Sequence, residues 1–382
     1  MVRVGIIGCG RIADLHHLGY AEEPRAEVVA VCDVDADAVA RRRDEWRVAK
    51  GYQDYRELLA DPEIDAVEIL TPQTIHEPMA IAAIEAGKHV AVQKPMTIGL
   101  ESANRMIAAA RRASSVFKVT DNYVFYPPIR LAKTMIDAGD IGEPIMMRMK
   151  FIGGLWHGGW HVPEDTWAWR QREAAQGRGV QTFDHGHHMW ATAQFLLGPV
   201  DCVSSWIDFT GDFVDCPAVI MWKYKDLKRY GVCDYTQAVE LPIPSKYYSC
   251  DEWFEITGSR GIILIRRCTG NLLDGPPVSV FDGERWKHHD VESDWASGFR
   301  YALRNFIAAI HGDDQPLLTG AQARDVLRFG FALRKSADRR REVYLDELDR
   351  SLPGLYAWKR RRQAQRAMRA HLTHSAESEH HS

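Results

Sequence analysis

The chain has 382 residues, 46% of them hydrophobic and 26% charged, with 48 Lys+Arg against 52 Asp+Glu for a net charge of −4. That balance supports a large buried core. It excludes intrinsic disorder, collagen-like repeats and an overall basic surface for nucleic acid. No apolar run reaches the ~18 residues a membrane span needs, and Val2 enters strand-like sequence at once, so neither a membrane partner nor a signal peptide is expected. Seven cysteines with no C-x-x-C pair suit free thiols in a reducing cytoplasm.

Short β-rich runs at Val2–Ile7, Glu27–Cys32, Ala66–Leu70, His89–Val92 and Val116–Thr120 alternate with helical patterns at Ile12–Glu22, Ala36–Trp46, Glu77–Ala86 and Leu100–Ala113. Strand–helix alternation predicts a doubly wound parallel sheet over residues 1–121, with ligands at the carboxyl ends of the strands. Beyond 121 the pattern changes. Helices are expected at Pro128–Ala138, His187–Leu197, Phe299–Ile310 and Ala321–Ser336. Strands are expected at Cys202–Phe209, Ala218–Tyr224, Lys228–Tyr235, Trp253–Thr257 and Gly261–Arg266. This predicts a second α+β domain over 122–350 with an open, mostly antiparallel sheet. The remainder, 351–382, carries Lys359, Arg360, Arg361, Arg362, Arg366 and Arg369 and reads as a solvated, partly flexible tail.

The first strand runs into Gly8-Cys9-Gly10-Arg11-Ile12-Ala13, a G-x-G-x-x-A turn before a helix. The first glycine permits the tight turn, the second lets backbone approach a pyrophosphate, and the helix N-terminus offers unpaired N–H groups. Asp33 ends the second strand, where a carboxylate accepts from a ribose 2′-hydroxyl and repels a 2′-phosphate. Neither Arg nor Ser follows directly, so NAD is expected over NADP. Lys94, in Gln93-Lys94-Pro95, stands at the end of the fourth run, with Pro95 free to adopt a cis bond. A lysine there can hydrogen-bond a substrate hydroxyl.

The ordered set G-C-G-R-I-A, Asp33, T-P-Q-T-I-H (Thr71–His76), Q-K-P and Asp184-His185-Gly186-His187-His188 resembles the glucose–fructose oxidoreductase / inositol dehydrogenase / MocA family. The resemblance spans about residues 2–345 and takes in Glu255–Gly261 and Lys335-Ser336-Ala337. It implies a Rossmann domain followed by an open-sheet domain, a nicotinamide cofactor, sugar or cyclitol substrates, and homodimers or homotetramers. The implied cofactor set is Gly8, Gly10, Arg11, Ile12, Asp33, Thr71, Pro72, His76, Gln93 and Lys94. The implied catalytic set is Lys94, Asp184 and His188, with His188 the proton acceptor. Two departures stand out: Gln93 replaces the family's usual glutamate, leaving Lys94 less compensated, and Val124 replaces a frequent arginine beside Asn122 and Tyr123.

Asp184 and His188 share a face if a helix has begun, so Asp184 is expected to orient the imidazole. Asp184, His185, His187 and His188 could also ligate a metal, but no H-E-x-x-H and no spaced Cys/His set accompanies them, so none is expected. The segment 153–170 holds Trp156, His157, Trp160, His161, Trp167, Trp169 and Arg170, rings and donors suited to stacking on sugars. The expected substrate set is Lys94, Asn122, Tyr123, Trp160, His161, Arg170, Asp184, His187 and His188. The reaction expected is oxidation of a secondary hydroxyl by hydride transfer to NAD. The alternatives are a glycosidase using NAD in a closed oxidation–elimination–hydration–reduction cycle, and a sensor that kept the fold without the chemistry.

Overall fold

The computed structural model describes residues 1–349, except 156, 158, 161–163, 177, 212, 226 and 227. The expected basic tail, Trp156 and His161 therefore lie outside the described residues.

The elements follow in chain order: β1 (Val2–Ile7), α1 (Ala13–Ala21), β2 (Ala26–Cys32), α2 (Ala36–Trp46), β3 (Lys50–Tyr52), α3 (Tyr55–Ala60), β4 (Ala66–Ile69), α4 (His76–Glu85), β5 (His89–Gln93), α5 (Leu100–Arg112) and β6 (Phe117–Thr120). These six strands form one parallel sheet in the order β3-β2-β1-β4-β5-β6. Val4, Ile6, Val67, Ile69, Val90 and Val92 are buried because helices cover both faces, which is why the runs are apolar without alternation. The order reverses between β1 and β4, opening a crevice at their carboxyl ends.

The second part contains α6 (Pro127–Ala138), β7 (Pro144–Leu155), α7 (Glu164–Ala175), α8 (Gly186–Leu197), β8 (Val200–Ile207), β9 (Ala218–Tyr224), β10 (Tyr230–Pro242), β11 (Cys250–Gly258), β12 (Ile262–Ile265), β13 (Val278–Phe281), β14 (Trp286–His289), α9 (Ser297–His311), α10 (Gly320–Arg339) and β15 (Val343–Tyr344). Its nine strands order as β14-β13-β12-β11-β7-β10-β9-β8-β15, antiparallel except for the β7–β10 pair. Trp190 of α8, Trp222 of β9 and Phe329 of α10 form the core on one face, and the Trp190 and Phe329 rings stack 4.7 Å apart.

Beyond the short β3, α3, β13, β14 and β15 and the helix α7, none of which was expected, two features depart from the expected organisation. The central strand β7 was not expected, although Met147, Met149 and Phe151 face inward while Arg148 and Lys150 face outward. The other is α9, which packs on α1 of the first sheet and not on the second. Leu303, Phe306 and Ile307 join the core formed by Val2, Val4 and Ile6. A side chain at Gly19 of α1 would meet Leu303 Cδ1 at 2.6 Å, so glycine permits this approach. Lys118 of β6, fully buried, fastens the same helix by donating to Ala302 O and Asn305 Oδ1.

Candidate active site

The turn after β1 is built for glycine. Gly8 has φ +106°, and a Cβ there would lie 2.8 Å from the Leu70 carbonyl carbon. Gly10 is different: its Cβ would meet nothing within 4 Å, so the loop's backbone is open to a ligand. Arg42 holds the loop from behind, donating to Cys9 O at 3.2 Å and Gly10 O at 3.0 Å. Asp33 Oδ2 accepts from Cys9 N at 2.7 Å, while Asp35, not Asp33, caps α2. Arg11 reaches over the Trp160 ring at 4.6 Å, linking the turn to the second domain. A Gly8→Ala variant is expected to lose about 1–3 kcal/mol of stability through backbone strain. Gly10→Ala should keep its melting temperature and weaken NAD binding by about tenfold or more. Thermal unfolding paired with NAD titration separates the two.

The Lys94–Pro95 peptide bond is cis. Lys94 Nζ lies 3.0 Å from both Asp184 O and Asp184 Oδ1, so a carboxylate on another element compensates its charge. This corrects the expectation drawn from Gln93. Arg170 of α7 stands 3.4 Å from the other oxygen, Asp184 Oδ2. Burial raises the Asp184 carboxyl, but Lys94 and Arg170 outweigh it and draw it down to about 2.

Asp184 does not hold His188. Residues Val180–His185 form a turn of π-helix ahead of α8, and the carboxylate is taken by Lys94. The orienting group is Asp121, directly after β6. His187 Nδ1 lies 3.0 Å from Asp121 Oδ2 and His188 Nδ1 lies 2.9 Å from Asp121 Oδ1. Asp121 is fully buried; the two imidazoles outweigh that burial and keep its carboxyl well below the ordinary range. Burial lowers His188 to about 4, with Asp121 opposing and the Lys94 charge adding to the shift. The His188 ring stacks on Tyr123 at 4.2 Å, and its Nε2 has no hydrogen-bond partner among the described residues.

Three other residues expected to contact ligand, His76, Gln93 and Tyr123, have internal partners. His76 is buried, with Nε2 2.7 Å from Thr71 O and Nδ1 3.1 Å from Pro95 O; it clamps two loops and presents no face to a cofactor. Thr71 is half-buried and Pro72 exposed beside that clamp, and Ile12 packs partly against the first sheet's core. Gln93 turns its amide inward, accepting from Lys94 N at 2.7 Å. Asn122, Tyr123 and His187 are at most 2% exposed; the Asn122 amide and His187 Nε2 have no hydrogen-bond partner among the described residues. The Tyr123 hydroxyl pairs with Thr269 Oγ1 at 3.0 Å. Trp160 packs edge-on to Tyr247 and Tyr248. Asp184, His185, His187 and His188, weighed above as possible metal ligands, do not converge as a set. Among the described residues the converging set is His185, Cys250 and Glu252, where His185 Nε2 already bonds Glu252 Oε1 at 2.9 Å.

Residues 2–121 match an oxidoreductase family with an NAD-binding Rossmann fold, and residues 133–345 match that family's C-terminal alpha/beta domain. The chain belongs to the glucose–fructose oxidoreductase, inositol dehydrogenase and MocA family. It is similar to scyllo-inositol 2-dehydrogenase (NAD(+)) of Bacillus subtilis, 37% identical over 358 residues that cover 90% of this chain and 96% of the relative. It is also similar to myo-inositol 2-dehydrogenase of Thermotoga maritima, 26% identical over 364 residues covering 91% and 99%. Among solved structures, an oxidoreductase from Agrobacterium radiobacter in complex with NAD+, L-tartaric acid and magnesium shares the fold with TM-score 0.79 at 20% identity, over 91% of this chain and 99% of that one. As a member of this family the protein is an NAD-dependent oxidoreductase, and the open backbone at Gly10 with the carboxylate of Asp33 fits that cofactor. No helix among the described residues is long and apolar enough to cross a membrane.

Proposed function

We propose that the protein oxidises a secondary hydroxyl on the ring of a cyclitol or sugar. Support comes from the pairing of His188, anchored through Nδ1 by Asp121, with the Lys94 ammonium close enough to lower its basicity. His188 is uncharged at neutral pH, so Nε2 can accept the hydroxyl proton. Lys94 then donates a hydrogen bond to the oxygen as negative charge develops, and Asp184, whose other carboxylate oxygen faces Arg170, holds its ammonium in place. Bound against the glycine turn and Asp33, NAD supplies the hydride acceptor. The half-buried Trp160 and Arg170 suit a hydroxylated ring with one apolar face.

The test is a panel of inositols, free pyranoses, anhydrosugars and glycosides incubated with NAD, read by absorbance of the reduced nicotinamide and by release of the aglycone. Reduction in step with substrate loss supports the proposal. Cleavage of a glycoside without net reduction would replace it with the closed-cycle glycosidase. NAD binding with no turnover across the panel would leave a sensor.

We further propose a homo-oligomer in the cytoplasm. Trp206, Val219, Met221 and Tyr230 are exposed on the same face of β8, β9 and β10. A second copy laid on this face removes that apolar surface from water. All seven cysteines are buried and free, as a reducing compartment allows. Trp206→Glu should shift the mass measured by light scattering toward the monomer.

A further inference from the structure

Below Lys94 runs a buried polar chain with no place in the steps above. Glu68 of β4 is fully buried and accepts from Tyr20 Oη at 2.6 Å and Thr120 Oγ1 at 2.9 Å. His16 of α1, also fully buried, brings Nδ1 to 2.9 Å from Glu68 Oε1, outside the ideal hydrogen-bond direction. Its other nitrogen, Nε2, lies 3.0 Å from Gln93 Nε2. Gln93 Oε1 in turn accepts the backbone N–H of Lys94 at 2.7 Å.

Proton inventory decides every role along this chain. The Lys94 amide can only donate, so the Gln93 atom facing it is the carbonyl oxygen and the other is the NH2 group. That NH2 can only donate, so His16 Nε2 must be bare. The single imidazole proton then sits on Nδ1, toward the Glu68 carboxylate. Burial would raise the Glu68 carboxyl, yet His16, Tyr20 and Thr120 outweigh it and keep it below its ordinary value. The other groups around His16 add no competing proton. Phe299 of α9 meets the ring by its edge at 5.2 Å, and Lys118 of β6 bears on Glu68 through its charge.

We propose that Glu68 and His16 are positioning residues that lock Gln93 in one orientation and thereby set the backbone from which Lys94 reaches the crevice, so that position 93 accepts an amide and rejects a carboxylate. A carboxylate at 93 would face the bare nitrogen of His16 and force it to take a second proton between two buried acids. The relay stands on geometry alone; only its effect on turnover rests on the dehydrogenase reading.

Three measurements test it. In the wild-type protein labelled with 15N-histidine, and assigned by the signal lost in His16→Gln, His16 should show a bare Nε2 and a protonated Nδ1 throughout about pH 6–8. A protonated Nε2 in that range overturns the proposal. Gln93→Glu should gain a new pH dependence of melting. Its His16 proton affinity is raised in the fold, so stability present at low pH is lost as pH rises through the folded value. A melting profile parallel to the wild type overturns the proposal. If that variant does not fold, the wild-type tautomer and the His16 pair still decide. His16→Leu should lower kcat about tenfold with KM changed less than about threefold, while His16→Gln, which can accept from Gln93 and donate to Glu68, should stay within about threefold of wild type. Equal kcat values for the two variants overturn the link to Lys94. Absence of turnover in the wild type itself counts against the dehydrogenase reading and leaves the tautomer and melting results to judge the relay.

Discussion

His188→Ala is expected to lower kcat by about 10²–10⁴-fold while the affinity for NAD stays within about threefold. The glycine turn and Asp33 contact neither His188 nor its partners, so cofactor binding has no reason to change. Asp121→Asn is the sharper companion. The carboxylate serves two imidazoles, one through each oxygen. An asparagine offers a single acceptor, so one ring must lose its anchor or reverse its tautomer. The expected loss approaches that of His188→Ala, although Asp121 touches no substrate. Steady-state kinetics beside NAD titration reads both; a wild-type rate in His188→Ala overturns its role as proton acceptor. The same residue gives a pH signature. His188 stands at about 4 in the fold against an ordinary 6.5, so the folded state binds fewer protons between these values. Its contribution to stability is complete above about pH 6.5 and is lost as pH falls toward 4, by on the order of 3 kcal/mol. Chemical denaturation across that window should show the slope in the wild type and a shallower one in His188→Ala.

Lys94→Met should cost both rate and stability. The rate loss, about 10²-fold or more, follows from removing the donor to the developing oxyanion. The stability loss follows from Asp184, which would keep Arg170 at 3.4 Å as its remaining charged partner. Breaking a buried pair on one side costs about 3–5 kcal/mol, whereas neutralising both sides costs less. Lys94→Met/Asp184→Asn should therefore recover most of the melting temperature and none of the turnover. Recovery of both would mean that the lysine serves the fold and not the reaction.

Much of this arrangement was legible from the chain alone, for reasons of local chemistry. The parallel sheet announced itself because five of its strands carry mainly apolar runs that alternate with helix-forming sequence, whereas the partly exposed edge strand Lys50-Gly51-Tyr52 carries no such run and was not expected. The glycine turn was legible because φ +106° at Gly8 admits almost no other residue. Strand β7 escaped notice because methionine, an unbranched side chain common in helices, obscured the two-residue period of Met147, Met149 and Phe151. Asp121 escaped because it lies 67 positions from His188, and its nearer rival Asp184 fits a helical spacing that the π-turn breaks. A signal was present: Asp121 follows β6 as Lys94 follows β5, at the carboxyl edge where ligands bind. The inward turn of Gln93 left no trace, since its partners His16 and Glu68 come from two other elements.

The seating of α9 against α1 has a consequence for biosynthesis. A nascent chain that has left the ribosome through residue 121 carries all six strands of the first sheet but still lacks Leu303, Phe306 and Ile307. One flank of that half-built layer stays wet until nearly two hundred further residues have emerged, so chaperones have a defined interval in which to bind it, and a fragment ending at 121 should be captured where the full-length product is released.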